Sequence, residues 1–264
     1  MDNLFKDLEE NLPEGLKTWH VFMKDRIPVT RTKHKGGSIM LVKNWMSKPA
    51  VTIDVDASMN DAIKLIRKHD IKMLPVMEKG KLVGIITDRD IKRASASDAT
   101  SLEIHELLYL ISKITIKEIM TKNPVTVPPD YTIEETAEVL LKHKISGVPV
   151  VDHYGNVVGV VTQNDIFKTI ISLTGAEKRG IQFGMEVEDR PGAIKEVMDI
   201  IREYGGRTAS ILTSYDMVPE GLRRVYIRMY GIDRFKIDRL KTALKEKARL
   251  LYMVDRREVT RETF

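Results

Sequence analysis

Beyond residue 180 the apolar positions alternate: Ile181, Phe183, Met185 and Val187 are separated by Gln182, Gly184 and Glu186. A period of two predicts a strand with one buried face. Asp189-Arg190-Pro191-Gly192 then starts a helix, with the proline near its first position, where a missing N–H costs nothing. Ile194, Val197, Met198 and Ile201 recur at helical spacing until Gly205-Gly206 stops the run. The pattern continues with a strand through Ile211 and a strand carrying Val225, Ile227 and Met229. A helix with Ile237, Leu240 and Leu244 and a strand over Leu250 to Val254 complete it. This order, β-α-β-β-α-β, is the ferredoxin-like one. Residues 180–256 are therefore expected to form one α+β domain, with 257–264 as a C-terminal tail.

The first part of the chain is organised by a repeat. Val42-Lys43-Asn44-Trp45-Met46-Ser47-Lys48 is echoed by Ile116-Lys117-Glu118-Ile119-Met120-Thr121-Lys122, an offset of 74 residues. The same offset relates Val51-Thr52-Ile53 to Val125-Thr126-Val127, and Leu74-Pro75-Val76 to Val148-Pro149-Val150. After one inserted residue, Gly84-Ile85-Ile86-Thr87-Asp88-Arg89-Asp90 matches Gly159-Val160-Val161-Thr162-Gln163-Asn164-Asp165. Each copy reads as β-α-β-β-α. The first strand, over Val51 to Ile53, precedes a helix capped by Ser58 with Asp61, and in the second copy by Thr132 with Glu135. A hairpin turns at Glu78-Lys79-Gly80-Lys81, or at Asp152 to Asn156, and its last strand runs into a helix through Thr-x-x-Asp. The copies span residues 40–100 and 115–173. A small-residue loop over Ala94 to Ser101 and a linker helix over 101–114 join them.

Composition narrows the function classes. With 264 residues and 42% hydrophobic content the chain can build two modest cores. No apolar run approaches the roughly 20 residues that cross a bilayer, and no signal peptide is visible, so a cytoplasmic protein is expected. Without cysteine there is no disulfide, thiol nucleophile or Cys-ligated metal. The net charge of +5 arises from 43 basic and 38 acidic residues interleaved along the whole chain. The densest basic run, Arg31 to Lys35, is short and lacks an aromatic platform, which argues against nucleic acid.

The repeats resemble the CBS motif, whose tandem pair forms a Bateman module. The likeness rests on the Met-Ser/Thr leads, the strands at Pro75 and Pro149, and the Gly-h-h-Thr-x-x-Asp ends, where h is apolar. Residues 180–256 resemble an ACT domain, chiefly at Asp189-Arg190-Pro191-Gly192. The order CBS-CBS-ACT is similar to acetoin-utilisation accessory proteins of the AcuB type. These resemblances imply a non-enzymatic regulatory protein that binds an adenine nucleotide or related ligand (AMP, ADP, ATP or S-adenosylmethionine) between its repeats and couples this to the ACT domain. They place the ribose on Asp90 and Asp165 and the phosphate beside Thr87 and Thr162, with Arg89 as a phosphate contact in the first site only. An acceptor-only carboxylate suits a cis-diol, and free N–H groups at a helix start suit a phosphate. Backbone around Thr52 and Thr126 and apolar walls from Leu74-Pro75 and Val148-Pro149 would hold the base. In the ACT-like domain, Asp189, Arg190 and Gly192 are candidates for an amino-acid effector. The segment Gly205 to Ala209, however, lacks the asparagine that many amino-acid-binding members place there. A homodimer through CBS-to-CBS and ACT-to-ACT contacts and a regulated partner enzyme are further expectations.

Plainer readings stand beside these. Thr-x-x-Asp is also a helix cap, Arg89 is also an exposed helix arginine, and Pro75 and Pro149 also mark edge positions of strands. His69 and His143 sit at repeat-equivalent helix ends, where a dipole role outweighs metal ligation. No metalloprotease helix, phosphate loop or nucleophile elbow is present, so neither catalysis nor a metal is expected. Two other functions remain open: a dimeric scaffold with vestigial sites, and an amino-acid sensor acting through the ACT domain. Residues 1–39 carry little periodicity and are expected to be a poorly ordered, dispensable tail. For a bacterial source, Lys35-Gly36-Gly37 is codable as a purine-rich ribosome-binding stretch, with Met40 as an internal start.

Overall fold

The computed structural model describes residues 40–97 and 113–264. The expectations for residues 1–39, and for the linker helix except its last two residues, fall outside that range. In the first repeat, α1 (Val42–Trp45) leads to β1 (Ile53–Asp54), α2 (Met59–His69), β2 (Met73–Glu78), β3 (Lys81–Thr87) and α3 (Asp88–Ser97). The second repeat has α4 (Ile116–Ile119), β4 (Thr121–Lys122), α5 (Ile133–His143), β5 (Gly147–Val151), β6 (Val157–Thr162) and α6 (Gln163–Leu173). The β-α-β-β-α reading holds in the first copy, whereas in the second the strand expected over Val125 to Val127 is reduced to a single bridge, Val127↔Val150. The first strand begins at Ile53 rather than Val51, and the loop expected from Ala94 is helix through Ser97.

Local signals act as the sequence implies. The Ser58 hydroxyl accepts the Asp61 N–H, and Thr132 with Glu135 forms a full capping box. Asp70 and Lys144, 74 residues apart, end α2 and α5 in the left-handed conformation. The first hairpin turns at Lys79 and Gly80, with φ of 49° and 78°, the double positive φ that suits a two-residue turn between twisted strands.

The two copies exchange their leading segments. β4, from the second copy, pairs with β3 of the first through Ile85↔Thr121, and Ser47 of the first copy bridges Val160 of the second. Val42 and Met46 lie in one core with Val127, Ile133, Leu140, Val148 and Val161. Ile116 lies in the other with Ile53, Met59, Leu74, Val76 and Ile86. Glycine makes the crossings fit. A Cβ on Gly84 would stand 2.5 Å from Met120 Sδ and 2.9 Å from Thr121 O. One on Gly159 would stand equally close to Met46 Sδ and Ser47 O. The unit of sequence is thus offset from the unit of packing.

The C-terminal part contains β7 (Ile181–Glu188), α7 (Ala193–Glu203), β8 (Arg207–Ser214), β9 (Leu222–Tyr230), α8 (Ile237–Lys245), β10 (Arg249–Asp255) and β11 (Thr260–Thr263). The antiparallel sheet runs β11-β10-β7-β9-β8, so the two β-α-β units interleave. Ile181, Phe183, Met185 and Val187 face one core with Val197, Ile201, Leu240 and Leu244. Two readings are corrected here. Pro191 precedes α7, whose N-cap is Gly192 at φ 89°. The expected tail at 257–264 folds back as β11 on the edge of β10. The Asp255 carboxylate accepts the Arg257 and Glu258 N–H groups, which sets the turn, and Lys241 holds Glu262. These are polar contacts, so no apolar periodicity announced the strand. Among the described residues no helix is long and apolar enough to cross a membrane.

Candidate functional site

Each repeat delivers its Thr-x-x-Asp segment where the last strand of its hairpin becomes a helix. Thr87 stands opposite Met73 in the β2–β3 hairpin, and Thr162 stands opposite Gly147 in the β5–β6 hairpin. Asp90 Oδ2 accepts the Thr87 N–H at 3.0 Å and the Thr87 hydroxyl at 2.6 Å. Asp165 Oδ2 accepts the Thr162 N–H at 2.9 Å and the hydroxyl at 2.7 Å. Both aspartates are buried, at 8% and 6% exposure. One oxygen of each carboxylate is therefore committed to the helix cap and the other, Oδ1, is left to meet a cation or a ligand hydroxyl.

That second oxygen has a partner not anticipated from the sequence. Arg93 Nη2 lies 2.8 Å from Asp90 Oδ1, and Lys168 Nζ lies 3.6 Å from Asp165 Oδ1. Arg89, the expected phosphate contact, is exposed on the turn before Asp90. The available signal was the repeat itself, because Arg93 and Lys168 keep the 75-residue offset of Asp90 and Asp165.

The expected base-holding residues divide. Thr52 and Thr126 are exposed just before the paired residues Ile53 and Val127. Leu74 and Val148 are fully enclosed, because alternate residues of a strand face opposite sides and these two, with Val76 and Val150, face the cores. Their side chains serve packing rather than a ligand wall. Pro75 and Pro149 occupy the intervening positions, and Pro75 sits in a strand with neighbours on both sides rather than at a sheet edge. The Pro149 carbonyl still accepts the Val127 N–H at 3.2 Å. A cavity of about 480 Å³ opens between the hairpin turns, lined by Lys81, Leu82, Asn123, Thr126, Tyr154 and Asn156. It includes none of the Thr-x-x-Asp residues.

In the C-terminal domain the three candidate effector residues are engaged internally. Arg190 forks onto Glu196 at 2.8 and 3.1 Å and also meets Glu188 at 2.6 Å. This holds the Glu196 carboxyl below its usual range and raises the Arg190 guanidinium. Asp189 pairs with Arg223 at 2.7 Å, and Gly192 serves as the helix cap. Among the described residues no cluster of His, Cys, Asp and Glu is arranged to hold a metal.

Helix α6 joins the second site to the C-terminal sheet. Thr162 is its N-cap and Thr174 its C-cap, and the Thr174 carbonyl accepts Ser210 Oγ and Arg228 Nε, each at 2.8 Å. Arg228 is 6% exposed and also donates to Gln182 Oε1. Burial, and then the neighbouring Arg256, lower its pKa.

Comparison with known proteins locates the likeness. The family model for the CBS domain matches residues 42–97 and 116–172. L-aspartate semialdehyde sulfurtransferase of Methanocaldococcus jannaschii is 38% identical over 167 residues, covering 60% of this chain but only 30% of that enzyme. A CBS domain-containing protein of Dictyostelium discoideum is 33% identical, covering 51% of this chain and 93% of that protein. Among solved structures, the CBS domain pair of protein MJ0100, in complex with 5′-methylthioadenosine and S-adenosyl-L-methionine, is 42% identical. It covers 49% of this chain and 98% of that one, with a TM-score of 0.43.

Proposed function

The chain belongs to the CBS-domain family, and on that premise we propose that it is a regulatory sensor of adenosyl ligands with two sites, at Thr87/Asp90 and Thr162/Asp165. The observation that carries this reading is the pair of buried carboxylates, each with Oδ2 held by its helix cap and Oδ1 paired only with an exposed cation, Arg93 or Lys168. Ribose hydroxyls on Oδ1 would bring the 5′ substituent toward Thr87 or Thr162 at the positive end of the helix dipole. AMP, ADP, ATP and S-adenosylmethionine all satisfy that chemistry.

The C-terminal domain acts in this reading as an ACT-type output, since its interleaved β-α-β units follow that arrangement. Coupling through α6 is supported by the contacts of Thr174 with Ser210 and Arg228, which tie the end of the site helix to the sheet. A ligand that favours one position of α6 would bias this junction, and the junction would bias the ligand equally. The internal pairs of Asp189 and Arg190 make an amino-acid effector at that loop the weaker reading. A regulated partner enzyme and a role in acetoin utilisation follow from the resemblance in domain order.

Calorimetry with AMP, ADP, ATP, S-adenosylmethionine and 5′-methylthioadenosine tests the proposal, with hydrogen exchange of residues 181–255 as the coupling readout. Binding of at least one ligand, lost in the Asp90→Ala/Asp165→Ala double variant, is the expected result. Absence of binding across the panel would leave the scaffold reading. That second reading has an observation of its own: Phe167, Ile170 and Ile171 are 57%, 50% and 48% exposed along α6. Such an apolar stripe suits a homodimer face.

A further inference from the structure

Each site holds a cation to which the ribose reading assigns no task. Arg93 and Lys168 stand one helical turn beyond Asp90 and Asp165, and both rest on Oδ1, the oxygen through which a ligand would bind. Their side chains are 73% exposed, whereas the two carboxylates are 10% and 9% exposed. An exposed cation thus covers an enclosed anion. Exposed ion pairs are weak, equivalent to about a two- to fivefold effect on an equilibrium, so a pair of ribose hydroxyls can displace one. Helical side chains lean toward the N-terminus of their helix. A released Arg93 or Lys168 therefore sweeps back along the helix toward Thr87 or Thr162, the end at which the 5′ substituent is expected.

We infer that Arg93 and Lys168 are the residues that read the charge of the ligand. Each covers its aspartate in the empty site, and each turns to the negative charge on the 5′ group once the hydroxyls occupy Oδ1. The inference rests on the ribose assignment to Asp90 and Asp165. It also separates the two sites. The planar fork of Arg93 can hold two phosphate oxygens at once, while Lys168 offers a single point charge. The Thr87/Asp90 site is therefore the one that discriminates phosphorylated from unphosphorylated adenosyl ligands.

The test uses the full chain with Asp165→Ala, so that only the first site remains, and measures adenosine and AMP by calorimetry. Arg93→Met should reduce the preference for AMP over adenosine by about tenfold, the loss of one charge-assisted contact. Adenosine itself should bind about two- to fivefold more tightly, because nothing then competes for Oδ1. Arg93→Lys should keep part of the AMP preference, and it carries the same comparison should Arg93→Met fold poorly. An unchanged AMP-to-adenosine ratio, or a parallel loss of both ligands, would overturn the inference. The underlying reading fails separately: if Asp90→Asn in the same background leaves adenosine binding intact, the ribose assignment falls and this inference falls with it.

Discussion

In the proposed reading Asp90 performs two jobs through two oxygens, and replacing it in two ways separates them. Oδ2 accepts the Thr87 N–H and hydroxyl, while Oδ1 faces Arg93 and, in the proposed complex, the ribose. Asp90 is the third residue of its helix, and asparagine there retains one oxygen that can accept from Thr87. Asp90→Asn should therefore lower stability by no more than about 1.5 kcal/mol. It removes the charged acceptor, and hydrogen bonds to charged groups contribute about 1.5–3 kcal/mol each. Adenosine affinity at that site should fall about 10- to 150-fold. Asp90→Ala should lose the same affinity and, in addition, about 1–3 kcal/mol of stability, because the Thr87 N–H and hydroxyl lose their acceptor. Urea unfolding and calorimetry on both variants, in the Asp165→Ala background, give the four numbers. Parent-like adenosine binding by Asp90→Asn would refute the ribose role. An affinity loss in Asp90→Ala alone, scaling with its destabilisation, would make the carboxylate purely a cap.

Three further outcomes are expected. Gly84→Ala and Gly159→Ala should each cost about 1–3 kcal/mol by overpacking the crossings at Thr121 O and Ser47 O. In thermal melts Gly84→Ala would then lose several degrees, and parent-like melting would discount the tight fit of the exchanged segments. The Phe167→Lys/Ile170→Lys variant should be monomeric in light scattering at a concentration where the parent is dimeric; a monomeric parent removes the homodimer. Glu196 has its pKa lowered from 4.5, mainly by its hydrogen bond to Arg190. Its contribution is complete above that value and is lost as the pH falls through the lower folded value. The stability gap between the parent and Arg190→Gln should thus narrow between pH 6 and strongly acidic pH in urea titrations. A constant gap would mean that the pair contributes nothing through its charge.

The readings that held are those carried by interactions within four residues. Ser58 with Asp61 and Thr132 with Glu135 cap their helices as their spacing implies. The Thr-x-x-Asp boxes close in the same way, and the 3.6 and 2.0 periodicities place Val197, Ile201, Phe183 and Met185 in one core. Even Arg93 was within reach of this logic, since residues three apart on a helix meet while adjacent ones diverge. Arg89, next to Asp90, faces elsewhere for the same reason.

The exchange of leading segments belongs to tertiary structure alone. Met46 and Met120 occupy equivalent places in similar motifs, so local sequence alone does not say which copy each packs on. Which arrangement forms depends on total burial across both cores and on Gly84 and Gly159 admitting the crossing chain. Strand β11 was hidden because its pairing with β10 is made by backbone groups and polar side chains that leave no periodicity. The anchoring of Thr174 by Arg228 spans 54 residues, a separation at which no local pattern carries information. The sequence by itself determined the repeat, the caps and the position of the carboxylates, because each depends on short-range geometry. The partners of those carboxylates and cores were decided only when the chain folded, because packing selects among alternatives that are locally equal.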